Sequence, residues 1–195
     1  MREITVAITG ASGAVYGLAL VRALALAGVR VHLVVSGGGA RVLREECGVC
    51  VDPKRPEPEA IAPEHAGRIV PHSIANIGAS IASGSYPVAG MAVCPCSMGT
   101  LGRVAAGTGE NLVTRAADVC LKERRPLVLV PRDTPLSAIH LENMLRLTRA
   151  GAVVLPASPG FYHRPKSVDD LVRFVVGRVM NRLGVEQDLM EPWEG

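Results

Sequence analysis

The sequence predicts a doubly wound α/β fold, a parallel sheet with helices on both faces, and three observations carry that prediction. A β-rich run, ITVAI at 4–8, meets the glycine-rich turn TGASG and then a helical apolar period, which is the opening of a βαβ unit. Near-continuous aliphatic runs recur at 29–35, 90–96, 126–131 and 152–157. Runs without polar alternation are strands buried on both faces, as parallel strands are. The residues after these runs are small and polar, where Rossmann-like and flavodoxin-like sheets hold ligands.

Each element follows from its own signals. The first helix runs from about 14 to 27 and is closed by Gly28, and VRVHLVV then forms the second strand, ending at Ser36. ARVLREE has a helical pattern, with Gly48 as its natural C-cap. The segment VDPKRPEPEAIAPEH at 51–65, rich in Pro and Glu, reads as a surface excursion without regular structure. Strands at 90–96, 126–131 and 152–157 alternate with helical stretches at about 98–122 and 137–150. An amphipathic helix covers about 168–183, and the tail to Gly195 carries Trp193, the only tryptophan. A chain of 195 residues with no composition break is expected to form a single domain over 1–195.

Composition narrows the partners. Hydrophobic residues make up 48% of the chain but aromatics only 3%, so the apolar surface is aliphatic and is expected to extend into contacts of a homo-oligomer. A net charge of +3, with scattered basic residues, argues against nucleic acid or an anionic membrane as partner. The N-terminal apolar run does not read as a signal peptide: Glu3 sits where basic residues belong, glycines interrupt the run, and Arg22 ends it short of a span. A cytoplasmic location is expected. Five cysteines then fit reduced thiols, with small buried hydrophobes as the default for all five. Cys47 and Cys50 form C-x-x-C, but CGVC follows a helix where a redox motif should open one. Cys94-Pro-Cys96 also lacks the usual spacing of a second zinc pair.

The ligand chemistry is read from two features. The segment RAADVCLKERRPLVLVPRDTP at 115–135 places Arg115, Lys122, Arg124 and Arg125 ahead of a strand that delivers Arg132 and Asp133, a density of cations suited to a phosphate held without metal. The strand-following loops offer Gly10, Ala11, Ser12 and Gly13, then Ser36 with three glycines, then Ser97, Met98, Gly99 and Thr100. Small residues let backbone amides approach a phosphate at a helix N-terminus, and hydroxyls add donors. GASGAVYG has the wrong spacing for a dinucleotide fingerprint, and the end of the second strand lacks the acidic residue that would bind a ribose. A mononucleotide such as FMN fits better.

TGASGAVYG (9–17), ASGSY (82–86), CPCSMGTL (94–101), the 115–135 segment, HLENM (140–144) and PGFYHRPKSVDDLV (159–172), in this order, resemble the UbiX/Pad-type flavin prenyltransferases. The resemblance implies metal-independent transfer of a dimethylallyl group from dimethylallyl monophosphate to N5 and C6 of reduced FMN, with the prenylated product passing to UbiD-type decarboxylases. It also implies a homo-oligomer, a dodecamer in the family. By position, Gly10, Ala11, Ser12, Ser36, Ser97, Met98, Gly99, Thr100 and Arg132 match FMN-binding residues. Ser83, Gly84, Arg115, Lys122, Tyr162 and Arg178 match those that hold the allylic phosphate, and Trp193 is a further substrate contact. Ser12 and Glu46 match the polar pair beside the reacting flavin edge.

The chemistry makes separate demands. Arg115, Lys122 and Arg178 can neutralise the leaving phosphate; Tyr16, Tyr162 and Trp193 can offer π faces to an allylic cation; Glu46 with Ser12 can accept the C6 proton. No D-D-x-x-D occurs, as Asp169-Asp170 is followed by Leu-Val-Arg, which argues against magnesium on a diphosphate. Two departures from the family pattern stand out. Asp133 replaces a frequent Glu and shortens its reach toward the leaving group, and Gly37-Gly38-Gly39 is expected to loosen the loop after Ser36. Two rivals share the broader fold or the cofactor. A flavin-dependent cysteine decarboxylase would want a His base and P-A-S-A-N-T where this chain has PCSMGT, and an FMN electron carrier would be acidic.

Overall fold

The computed structural model describes residues 1–190. Its six strands are β1 (Glu3–Ile8), β2 (Arg30–Val35), β3 (Ile69–His72), β4 (Met91–Cys96), β5 (Leu127–Pro131) and β6 (Val153–Val154). They form one parallel sheet in the order β3-β2-β1-β4-β5-β6. The chain winds outward from β1 in one direction and from β4 in the other, so the crevice between the carboxyl ends of β1 and β4 is the topological switch point.

Successive residues of each strand point to opposite faces, and each face has its own helices. On one, Ile4, Val6, Ile8, Ala92 and Cys94 pack with Leu20 and Leu24 of α1 (Ala14–Leu26) and with Val175 and Val179 of α7 (Val168–Arg182). On the other, Ala7, Met91, Val93, Leu127 and Leu129 meet Leu101 of α4 (Met98–Ala106), Leu112 and Ala116 of α5 (Leu112–Lys122) and Leu147 of α6 (Ala138–Arg149). Each fully buried Leu or Ile contributes about 1.5–3 kcal/mol, so the two layers together hold the sheet. α2 (Gly37–Cys47) and the short α3 (Pro58–Ile61) complete the α-helices among the described residues.

The elements differ from the sequence reading in four places. The stretch 98–122 is two helices, because Gly107 (φ 71°) ends α4 and Asn111, in a reciprocal capping box with Thr114, starts α5. β3 is an edge strand of four residues holding Pro71, which no strand pattern announces. The 51–65 excursion contains α3 and the start of a 3₁₀ turn at Pro63–Arg68, and the run 152–157 is strand only at Val153–Val154. The cysteines are all free, but only Cys94, Cys96 and Cys120 are buried; Cys47 is half-buried and Cys50 exposed, so the buried default fails for these two. Burial pushes the Cys120 thiol up to about 11 and that of Cys96 up to about 12. Among the described residues no helix is long and apolar enough to cross a membrane, and no three His, Cys, Asp or Glu side chains cluster as a metal site.

Candidate functional site

The loops at the carboxyl edge of the sheet are tied into one cradle. Thr9, just beyond β1, donates from Oγ1 to the Pro95 carbonyl at 2.8 Å and accepts the Ser97 amide at 2.8 Å, joining the β1 and β4 loops across the switch point. Ser36 caps α2 by accepting the Gly39 amide at 2.9 Å. Ser97 caps α4 by accepting the Thr100 amide at 3.3 Å, and its hydroxyl also lies 3.0 Å from Thr100 Oγ1. Three helices, α1, α2 and α4, thus begin at this edge and direct their positive ends toward the crevice. Met98 is buried at the first turn of α4 while Gly99 is exposed.

The triple glycine does not loosen this edge; it lets two loops touch. A Cβ at Gly38 would sit 2.9 Å from the Gly10 Cα, one at Gly10 would sit 3.0 Å from the Gly38 Cα, and one at Gly39 would strike the Ile8 carbonyl oxygen. Glycine is required because backbone packs on backbone. Thr9 was not singled out from the sequence, where a hydroxyl directly after a strand was the available signal; Gly38 was noted in the glycine run after Ser36, but as a loosening of that loop.

Glu46, near the end of α2, reaches across to the start of α1. Its Oε2 accepts the Gly13 and Ala14 amides, each at 2.8 Å. Helix α1 has no side-chain cap of its own and no acidic residue in its first turn, so Glu46 supplies both functions from a neighbouring element. Burial pushes its carboxyl up, but the Ser12 hydroxyl, the two amides and nearby Arg132 outweigh this and hold it below the usual carboxylate range. Arg132 is fixed by donating from Nε to the Ser12 carbonyl at 3.1 Å. Ser12, Glu46 and Arg132 therefore meet at one point. Tyr16 stands half-buried one turn into α1, beneath Gly13, and burial raises its phenol. Asp133 is exposed and accepts the Thr134 amide on its own Oδ1 at 2.9 Å.

The cations of 115–135 do not form one site. Lys122 ends α5, next to the amino end of β5, where it pairs with Glu123. Gly84 lies against both, since a Cβ there would collide with the Glu123 carboxylate and sit 2.8 Å from Lys122 Nζ. Ser83, beside Ser85 at 2.8 Å, belongs to the same loop. This loop precedes β4, at the amino edge of the sheet, whereas Arg132 follows β5 at the carboxyl edge. A five-residue strand such as β5 spans about 17 Å, which separates the two groups. Arg115 sits in the first turns of α5, paired with Asp118 at 3.1 Å. Arg125 is turned inward, donating to the Tyr86 and Gly84 carbonyls, and Arg124 is exposed. Tyr162, in the loop after β6, packs its ring against His163 and Phe174, and Arg178 is exposed on α7, on the opposite face of the sheet from α5. Within one chain these residues occupy separate places. Trp193 lies outside the described residues.

The chain is similar to several known proteins. A family model described as Flavoprotein matches residues 1–180. The flavin prenyltransferase UbiX of Pseudomonas aeruginosa is 50% identical over 195 residues, covering 98% of this chain and 93% of that protein. Among solved structures, AnUbiX (PadA1) in complex with FMN and dimethylallyl pyrophosphate superposes with a TM-score of 0.88 at 40% identity, covering 100% of this chain and 98% of that one. A dodecameric FMN-dependent UbiX-like decarboxylase from Escherichia coli O157:H7 superposes with a TM-score of 0.87 at 43% identity over the whole of both chains. A relative of this identity over nearly its full length leaves one conclusion: the chain belongs to the Flavoprotein family and, within it, to the UbiX-type flavin prenyltransferases.

Proposed function

We propose that this protein transfers a dimethylallyl group from dimethylallyl monophosphate to reduced FMN, without metal, and that the prenylated flavin serves a UbiD-type decarboxylase. The observation that carries the reading is the carboxyl-edge cradle, where three helix N-termini, the close-packed Gly10 and Gly38, and the fixed Arg132 meet. Its donors suit a mononucleotide: amides and hydroxyls from Gly10–Ser12, Ser36 and Ser97–Thr100 surround a crevice free of acidic residues at the end of β2, and Arg132 adds a cation. FMN in its reduced form supplies the nucleophilic N5 and C6. Glu46, ionised and joined to Ser12, is placed to take a proton at its carboxylate. Tyr16 and Tyr162 offer π faces to the allylic group. Asp133, one methylene shorter than Glu, is assigned a weaker share in proton delivery to the leaving phosphate.

The phosphate side of the reaction is assigned to more than one subunit. Ser83, Gly84, Arg115 and Lys122 of one copy would face Tyr162, Arg178 and Trp193 of others, and together they would neutralise the leaving group. A homo-oligomer also accounts for α6, which fully buries only Leu147 and exposes Ile139, Leu141 and Leu145. By analogy with the E. coli relative the assembly is a dodecamer of single-domain chains, 1–195 each. A cytoplasmic setting suits the exposed free thiol of Cys50.

The test is anaerobic incubation with reduced FMN and dimethylallyl monophosphate, metal omitted, followed by mass spectrometry of the released flavin. A gain of one C5 unit, absent in Lys122→Ala, is expected. Unmodified FMN from the wild type would overturn the reading and favour a cysteine decarboxylase or an electron carrier.

A further inference from the structure

The loop that carries Ser83 and Gly84 is held from behind by residues that no part of the reaction requires. Arg125 donates from Nη1 to the Tyr86 carbonyl at 2.7 Å and from Nη2 to the Gly84 carbonyl at 2.5 Å, so one planar fork spans two carbonyls of the loop. Tyr86 donates its hydroxyl to Glu3 Oε2 at 2.6 Å. The same oxygen lies 2.8 Å from His32 Nε2, and His32 Nδ1 lies 2.9 Å from His72 Nε2. His32 is 2% exposed and stacks on His72, while Tyr86 meets it edge-on. The loop is therefore anchored to the first residues of β1 and to β2 and β3, three strands of the sheet.

Glu3 stands at one end of this chain and His72 at the other. Hydrogen bonds from Tyr86 and His32 hold the Glu3 carboxyl below its usual range, so Glu3 accepts from both. Burial lowers His72 to about 4, so it is neutral. Linked hydrogen bonds of this kind, in surroundings of low dielectric, rigidify what they touch.

We propose that Arg125 and the Tyr86–Glu3 pair are positioning residues that set the affinity for the donor's phosphate by fixing the 83–86 backbone against Lys122. The inference rests on the assignment of Ser83, Gly84 and Lys122 to that phosphate. The coupling is one of contact: Gly84 packs against the ends of the Lys122 and Glu123 side chains, so the place of the loop sets where the ammonium can sit. The flavin cradle lies at the opposite edge of the same chain and is not touched by this clamp.

Tyr86→Phe removes the hydrogen bond to Glu3 and keeps the ring; Arg125→Lys keeps the charge and removes the fork. Each is expected to raise KM for dimethylallyl monophosphate about tenfold, and to raise the inhibition constant of inorganic phosphate in the same ratio. The FMN dissociation constant, read by fluorescence quenching, is expected to stay within twofold, which also shows that the variants fold. An unchanged KM for the donor, or a parallel loss of FMN binding, would overturn the proposal. Absence of prenylation in the wild type would instead strike the functional reading beneath it.

Discussion

Replacing Glu46 by alanine strips the amino end of α1 of its carboxylate partner, and the structure sets the size of the effect. Two amides, Gly13 and Ala14, lose their acceptor. Loss of a helix cap costs about 0.5–2 kcal/mol, and loss of a negative charge at a helix N-terminus about 0.3–1 kcal/mol. Glu46 is exposed in the single chain, so the ionic part is discounted for screening and the sum is about 1–2 kcal/mol. With a urea m-value of about 2 kcal/mol/M the unfolding midpoint drops by about 0.5–1 M at pH 7. The folded carboxyl lies below its unfolded value, so the stabilisation is fully present above the unfolded value of about 4.3 and disappears as pH falls through the folded one. The gap between wild type and Glu46→Ala is therefore flat from pH 6 upward and closes in acid. Urea titrations at one protomer concentration check this, since assembly also stabilises. Equal midpoints at pH 7, or a gap undiminished at pH 3, would refute it. Glu46→Gln separates the roles: its amide oxygen retains most of the cap, but it has no basicity, so prenylation should slow by about 10²–10⁴-fold in a variant of near wild-type stability.

Two further substitutions probe packing. Gly17→Ala would drive a Cβ into the Cys94 carbonyl oxygen where α1 crosses β4, at a cost of about 1–3 kcal/mol, whereas Gly28→Ala has open space around it and is limited to the strain of φ +81°. Thermal melts should rank Gly17→Ala well below Gly28→Ala, and the reverse order would contradict the clash. Thr5, 1% exposed on β1, buries a hydroxyl that finds no partner. Thr5→Val should raise stability by about 1 kcal/mol, or about 2–4 °C in melting temperature, and a lowered midpoint would show the hydroxyl to be satisfied.

Much of the fold was legible because its signals are local. β1, the turn after it and α1 follow from one apolar run, a glycine cluster and a helical period. The division of 98–122 was also written in the chain, as Gly107 and the Asn111-x-x-Thr114 box, but the apolar period continues on either side and masks it. β3 was not legible: four residues with a proline become a strand only because β2 offers them an edge. Gly37-Gly38-Gly39 illustrates the same limit at the site. Flexible by composition, it is rigid in context because Gly10 and the Ile8 carbonyl stand against it.

By itself the sequence determined the class of fold, the small polar loops after the strands, and the residue types suited to a flavin and an allylic phosphate. Only the tertiary structure decided which of them share a place. Lys122 and Arg132 belong to one continuous motif, yet β5 runs between them and carries them to opposite edges of the sheet, because an extended strand advances about 3.3 Å with every residue. Glu46 and Ser12, distant in the chain, meet because α1 and α2 both begin at the carboxyl edge and α2 packs across the start of α1. Spacing along a sequence measures distance within one element; between elements it is the direction of the strands, and the face each helix covers, that decides proximity.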